Sequence, residues 1–142
     1  YIQKYFETYP SIKGFLDGLV EQGKEKGYVS TMFGRRRPVP ELKSSNFMQR
    51  SFGERVAMNS PIQGTAADII KIAMLRVWRR LRKEGYKSRL ILQVHDELNF
   101  KCHHEEIEEL KNLVVDCMEH VVSLAVPLTV GTGYGKSWYE AH

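Results

Sequence analysis

The apolar run Leu90-Ile91-Leu92-Gln93-Val94 stops at His95-Asp96-Glu97 and resumes at Leu98-Asn99-Phe100, and this interruption constrains the fold more than any other stretch of the chain. Strand-forming residues that break at a short charged segment and restart predict an antiparallel hairpin carrying its acids at the tip. Two like charges side by side on a tight turn repel each other, and a bound divalent cation is one way to make the arrangement favourable. A plain solvated turn is the other, because Asp is a common turn former and Glu sits readily on a surface. Asp96 and Glu97 are therefore candidate metal ligands, and the rest of the chain has to decide between the two readings.

A length of 142 residues is enough for one domain with a core. No stretch approaches the ~18 uninterrupted apolar residues of a membrane span, and no secretory leader opens the chain, so an intracellular protein is expected. The two cysteines, Cys102 and Cys117, fall at a strand end and within a helical pattern. They suggest reduced thiols, not a disulfide framework or a paired-cysteine zinc motif. The net charge of +4 hides a division: residues 1–100 carry 18 Lys and Arg against 10 acids, whereas residues 101–142 carry 3 against 7. The basic front suits a polyanion, although cations scattered over helix faces give the same sum.

Apolar residues from Ile2 to Val20 recur at helical spacing and are interrupted at Pro10, which predicts two helical pieces joined at the proline. Tyr28, Val29, Thr31 and Phe33 lead through Gly34 into Arg35-Arg36-Arg37 and Pro38, the pattern of a short hairpin with a basic second arm. A helix is expected over Phe47–Met58 and should break at Pro61. The next helix is expected to start at a capping-box-like Thr65 and Asp68. It buries Ala66, Ile70, Ala73, Met74, Val77 and Leu81, takes Trp78 as core, and stops at Gly85. A last amphipathic helix turns Ile107, Leu110, Val114, Cys117, Met118 and Val121 inward, with Glu105, Glu106, Glu108 and Glu109 near its start. Pro127–Tyr134 is expected as a closing strand. Gly131, Gly133 and Gly135 make a poor phosphate loop, because no helix is expected after them. The fold class is α+β, an antiparallel hairpin or small sheet packed against amphipathic helices in one domain spanning 1–142.

Three motifs, GYVSTMFGRRRPVP (Gly27–Pro40), ERVAMNSPIQGTAADIIKIAM (Glu54–Met74) and QVHDEL (Gln93–Leu98), stand in the order and spacing of the bacterial DNA polymerase I family. The chain resembles the C-terminal end of a family A DNA polymerase. The likeness runs from YIQKYFETYP, which looks like the segment after the fingers helix, to VGTGYGKSWYEAH, which looks like a natural terminus. The resemblance implies a partial polymerase palm, with the fingers-to-palm connection at about 1–60 and the palm at about 61–142. It implies two Mg2+ ions in the intact parent, primer-template DNA and dNTP as partners, and a bacterial cytoplasmic setting without membrane association. Asp96 matches the motif C metal-binding aspartate, and Glu97 matches the neighbouring acid of secondary role. His95 matches a histidine near the primer terminus, and Arg55, Asn59 and Gln63 match residues on the primer-template side. Side-chain donors suit that task, because purine N3 and pyrimidine O2 are minor-groove acceptors in every correct pair. Arg35, Arg36 and Arg37 are assigned to phosphate contact.

The local alternatives are a surface ion pair for Arg55, a turn residue for His95, and capping or turn hydrogen bonds ahead of Thr65 for Asn59 and Gln63. Neither the family's second aspartate, in a DYSQIELR-like strand, nor its fingers helix occurs in these 142 residues. Two cations about 3.5–4 Å apart need carboxylates from more than one direction, so this stretch is expected to hold part of a site and to be inactive alone. Asp17, Asp68 and Asp116 lie in helical patterns and are not substitutes. The rival readings are a non-catalytic nucleic-acid-binding module and a zinc site from His95, Cys102, His103, His104 and Cys117. A dimer through an exposed sheet edge is a further expectation.

Overall fold

The computed structural model describes all of residues 1–142 as two compact units, Tyr1–Ala66 and Ala67–His142. In chain order the elements are α1 (Ile2–Thr8), α2 (Pro10–Lys26), β1 (Tyr28–Ser30), β2 (Arg36–Pro38), α3 (Phe47–Lys83), β3 (Arg89–Val94), β4 (Glu97–Lys101), α4 (Ile107–Glu119) and α5 (Trp138–Ala141). Single 3-10 turns at Pro40–Lys43 and His104–Glu106 precede α3 and α4. The mixed class is as expected: helices with two separate two-stranded antiparallel sheets. No helix is long and apolar enough to cross a membrane.

In the first unit, Pro10 occupies the first turn of α2, where its missing N–H removes no helical bond. Gly27 ends that helix at φ 79°, a left-handed cap that glycine adopts without strain. The β1–β2 ribbon pairs Tyr28 with Pro38, Val29 with Arg37 and Ser30 with Arg36. Val20, Val29, Val39, Leu42 and Ala57 form the core beneath it. Close approach is built in by glycine: a Cβ on Gly23 would lie 2.6 Å from Leu42 Cδ1, and one on Gly64 2.6 Å from Thr31 Cγ2.

The expected break at Pro61 does not occur, and α3 runs unbroken through it from Phe47 to Lys83. An interior proline forfeits one backbone bond and crowds the carbonyl four residues earlier, a cost of ~3 kcal/mol. Burial of Pro61 itself and of Ala57 on one side, with Ile70 and Ala73 on the other, outweighs that cost. Thr65 therefore sits mid-helix and caps nothing; its hydroxyl accepts the Met32 N–H at 3.0 Å and ties the β1–β2 turn to the helix.

In the second unit, Val77 and Leu81 of α3 meet Leu110, Leu113, Val114 and Cys117 of α4, and Tyr86, Leu90, Leu98, Phe100 and Met118 pack on that cluster. Trp78, expected in the core, is 45% exposed, with the Arg82 guanidinium 4.9 Å above its ring. Ala66 is likewise exposed. Trp78 lies off the Ile70-Ala73-Val77-Leu81 line that the helical period selects for burial, whereas Ala66 is on that line and is nevertheless left uncovered. The expected strand over 127–134 is absent, and these residues join neither of the two-stranded sheets.

One polar anchor joins the start of β3 to the start of α4. The Glu106 carboxylate accepts the backbone N–H groups of Lys87 and Ser88, each at 2.8 Å, and the Ser88 hydroxyl at 2.5 Å. Ser88 Oγ in turn accepts the His103 N–H at 2.8 Å. These donors, the Ser88 hydroxyl first and the Lys87 N–H next, hold the Glu106 carboxyl below its ordinary range. A depressed carboxyl stabilises the fold above its unfolded value and loses that contribution as pH falls through its folded value. Glu106→Gln is therefore expected to lower the melting temperature at pH 7 and to lower it progressively less below about pH 4.5. Ser88→Ala, which removes one donor from the Glu106 carboxylate and the acceptor of the His103 N–H, is expected to lower the denaturant midpoint of unfolding.

Candidate functional site

Val94 pairs with Glu97 as the last rung of the β3–β4 ladder, which leaves His95 and Asp96 as a two-residue turn. His95 has φ 49° and is the only non-glycine residue with positive φ. Such a conformation costs about 1–2 kcal/mol for an L-residue, and at a two-residue hairpin it supplies the twist that the flanking strands need. The Gln93 side-chain amide donates to the His95 carbonyl at 2.6 Å and braces the turn. The hairpin is held from below by Leu90, Leu98 and Phe100, while Ile91 forms a one-residue bulge between the Leu90–Phe100 and Leu92–Asn99 pairs.

The two acids end in different states. Asp96 is exposed at the turn, with no hydrogen bond or ion pair to any protein group. Glu97, half-buried at the head of β4, places Oε1 2.9 Å from His142 Nε2. His142 Nδ1 lies 2.9 Å from the Trp138 carbonyl. A carbonyl and a carboxylate are both acceptors, so the imidazole satisfies both only with a proton on each nitrogen. The Trp138 carbonyl, and after it the Glu97 side chain, accordingly raise the His142 pKa.

This donor set fits part of a hard-cation site. Carboxylate oxygens are the ligands magnesium prefers, and Asp96 offers both of its oxygens. Glu97 keeps Oε2 without a protein partner. No group of three or more His, Cys, Asp or Glu side chains is arranged to hold a metal ion, so the two acids amount to part of such a donor set and not a whole one. The softer set of His95, Cys102, His103, His104 and Cys117 is not brought together: Cys117 lies buried among Val77, Leu113 and Val114, and Cys102 is exposed.

The first unit carries the remaining candidates. Arg55, Asn59 and Gln63 are four residues apart on α3, and all three are exposed, so they form one polar stripe opposite buried Ala57 and Pro61. Capping cannot explain Asn59 and Gln63, because no helix starts there. The β1–β2 turn sits on α3 at Gly64 and Thr65, directly after Gln63. The three arginines of the basic arm do not make one patch: Arg36 lies with its guanidinium 4.6 Å over the Tyr28 ring, and strand alternation turns Arg37 to the other face. Arg35 precedes the strand, its backbone N–H donating to Thr31 Oγ1 at 3.2 Å.

His142 was not identified from the sequence as part of the site. A signal for it exists in Ser137-Trp138-Tyr139-Glu140, a capping-box pattern that starts α5 and delivers His142 at its end. A helix thus does follow the glycine run, although its four residues are too short to present an anion-binding terminus.

Comparison with known proteins gives a consistent result. Residues 1–140 match the family model for DNA polymerase family A. Over 141 residues the chain is 52% identical to DNA polymerase I of Geobacillus stearothermophilus and 51% identical to DNA polymerase I of Bacillus subtilis (strain 168). Each alignment covers 99% of this chain and 16% of the relative, so the chain spans about a sixth of their length. It superposes at a TM-score of 0.96 and 46% identity on the POL domain of Pol1 from M. smegmatis, solved in complex with DNA primer-template and dNTP. That match covers 99% of this chain and 25% of the other.

The strained turn yields a stability test. His95→Gly is expected to be neutral or slightly stabilising, whereas His95→Val, β-branched at positive φ, is expected to cost about 1–2 kcal/mol in denaturant unfolding.

Proposed function

This chain belongs to DNA polymerase family A, and from that premise we propose that it is the part of a template-directed DNA polymerase that supplies one face of the metal site and part of the duplex-binding surface. The observation that carries the proposal is Asp96: an exposed carboxylate with no protein partner, on a two-residue turn braced from both sides. Leaving a second acid beside it is unfavourable for folding alone and useful for holding a dication. Asp96 is assigned as a ligand of Mg2+ and Glu97 as a neighbouring, weaker contributor. When bound in pairs, such ions lower the pKa of an attacking hydroxyl and stabilise charge on the transferring phosphate.

Other residues of the chain bind and orient. His95, projecting from the same turn, is placed to meet the primer terminus. Arg55, Asn59 and Gln63 offer donors from one helix face, suited to minor-groove acceptors that every correct base pair presents. Arg35, Arg36 and Arg37 contact backbone phosphates from a ribbon, on both of its faces. Residues 61–142 correspond in this reading to the palm and 1–60 to its connection with the fingers. Both edges of the β3–β4 hairpin are unpaired, and Ile91 and Leu92 are 63% and 48% exposed. Strands from the rest of a polypeptide some six times longer are the partners that fit them, with a second copy of the chain as the lesser alternative. The setting is the bacterial cytoplasm, as the bacterial relatives suggest.

In the intact polymerase, Asp96→Asn is expected to slow Mg2+-dependent primer extension by ~1,000-fold or more, equivalent to about 4 kcal/mol, while primer-template affinity changes little. Extension within tenfold of the unmodified enzyme would remove Asp96 from the reaction. Asn59→Ala and Gln63→Ala are each expected to weaken primer-template binding about 5-fold, roughly 1 kcal/mol for a lost hydrogen bond, by the same factor on different sequences. A strong dependence on base identity would contradict minor-groove contact.

A further inference from the structure

We propose that the segment Val130–His142 is a clasp that positions Glu97, with His142 as the positioning residue. This inference rests on the polymerase reading of the β3–β4 tip and adds to it the group that orients its second acid. The segment is almost wholly exposed and buries no core residue. Its place is set at two ends. At one, the half-buried Val130 N–H donates to Glu119 Oε1 at 3.0 Å, at the end of α4. At the other, His142 Nε2 meets Glu97 Oε1 at 2.9 Å.

Between these ends the segment folds on itself. Ser137 caps α5 by accepting the Glu140 N–H at 3.3 Å, and Glu140 Oε2 accepts the Lys136 N–H at 2.8 Å. The glycine run lets the chain lie directly against this helix: a Cβ on Gly133 would fall 2.2 Å from the Ala141 carbonyl oxygen, and one on Gly135 2.5 Å from Glu140 Cβ. The imidazole is held in turn by the Trp138 carbonyl at 2.9 Å and by an edge-on Trp138 ring 5.7 Å away. Each part of the segment therefore serves to bring one imidazole to one carboxylate oxygen. With Oε1 engaged, Glu97 loses its rotamer freedom and keeps Oε2 available. Asp96 makes no such contact, which separates the two acids experimentally.

The test uses the intact polymerase with primer-template, with hydrogen exchange of the Val130–His142 backbone read by mass spectrometry. His142→Ala and Glu97→Ala are each expected to speed exchange of residues 137–142 by ~10-fold or more, and the double variant no further than either alone. Gly133→Ala, which touches no carboxylate, is expected to do the same. In extension assays His142→Ala should lower kcat several-fold at unchanged KM for dNTP, the effect should vanish in a Glu97→Ala background, and His142→Gln, whose amide also donates, should restore part of it. Unchanged exchange in Glu97→Ala, or an equal loss of kcat from His142→Ala with and without Glu97, would overturn the clasp. Asp96→Asn separates this failure from failure of the polymerase reading: it is expected to abolish extension and leave exchange of 130–142 unaltered.

Discussion

The pairing of Val94 with Glu97 is the constraint on which the site depends. It leaves two residues for the turn, and two residues place Asp96 outside the ladder and Glu97 at its first rung. A slip of one residue would exchange the faces of β4, sending Leu98 and Phe100 to solvent and Asn99 into the apolar cluster. Burial of Leu90, Leu98 and Phe100 on the α3–α4 core opposes that slip. Full burial of one such side chain contributes about 1.5–3 kcal/mol, so three partly buried ones together outweigh the ~1–2 kcal/mol of strain held at His95. Packing beneath the hairpin thus carries the cost of the conformation at its tip.

Charge at the tip follows from the same geometry. Two unit charges about 4 Å apart repel by roughly 1 kcal/mol in water and by about 4 kcal/mol at the effective dielectric of a protein surface, and neighbouring carboxylates feel a repulsion of that order or less. That repulsion is small enough for the hairpin to form without a cation and large enough to favour one when it arrives. An imidazole on Glu97 offsets part of it and leaves Asp96 uncompensated. The acid at the turn is left for an external ligand, and the acid on the strand is held by the protein. The donors proposed to face a duplex, Arg55, Asn59 and Gln63, belong to the first compact unit, in one line on a helix kept intact through Pro61.

Features set by local sequence were legible in it. Both hairpins, the helix joint at Pro10, the stop at Gly85, the inward face of α4 and most of that of α3 follow from periodicity and turn chemistry. Features set by tertiary contact were not. Pro61 reads as a breaker until the burial of its neighbours is known, and Thr65 reads as a cap until Met32 is found beside it. The run after Pro127 has strand-forming residues, yet it pairs with neither open edge of the β3–β4 hairpin. Asp96 and Glu97 stand out as candidate ligands by their pattern and His95 by the family resemblance, whereas His142 lies 45 residues from Glu97 in sequence and is joined to it only by the fold.

The central claim is that a divalent cation sits against the Asp96 carboxylate. Fe2+ substituted for Mg2+ in the intact polymerase bound to primer-template and dNTP, followed by ascorbate and peroxide, cuts polypeptide within a few ångströms of the bound ion. The account predicts backbone cleavage within His95–Glu97 that excess Mg2+ suppresses and that Asp96→Asn removes. Cleavage confined to other segments, or equally strong at the tip in Asp96→Asn, would contradict it.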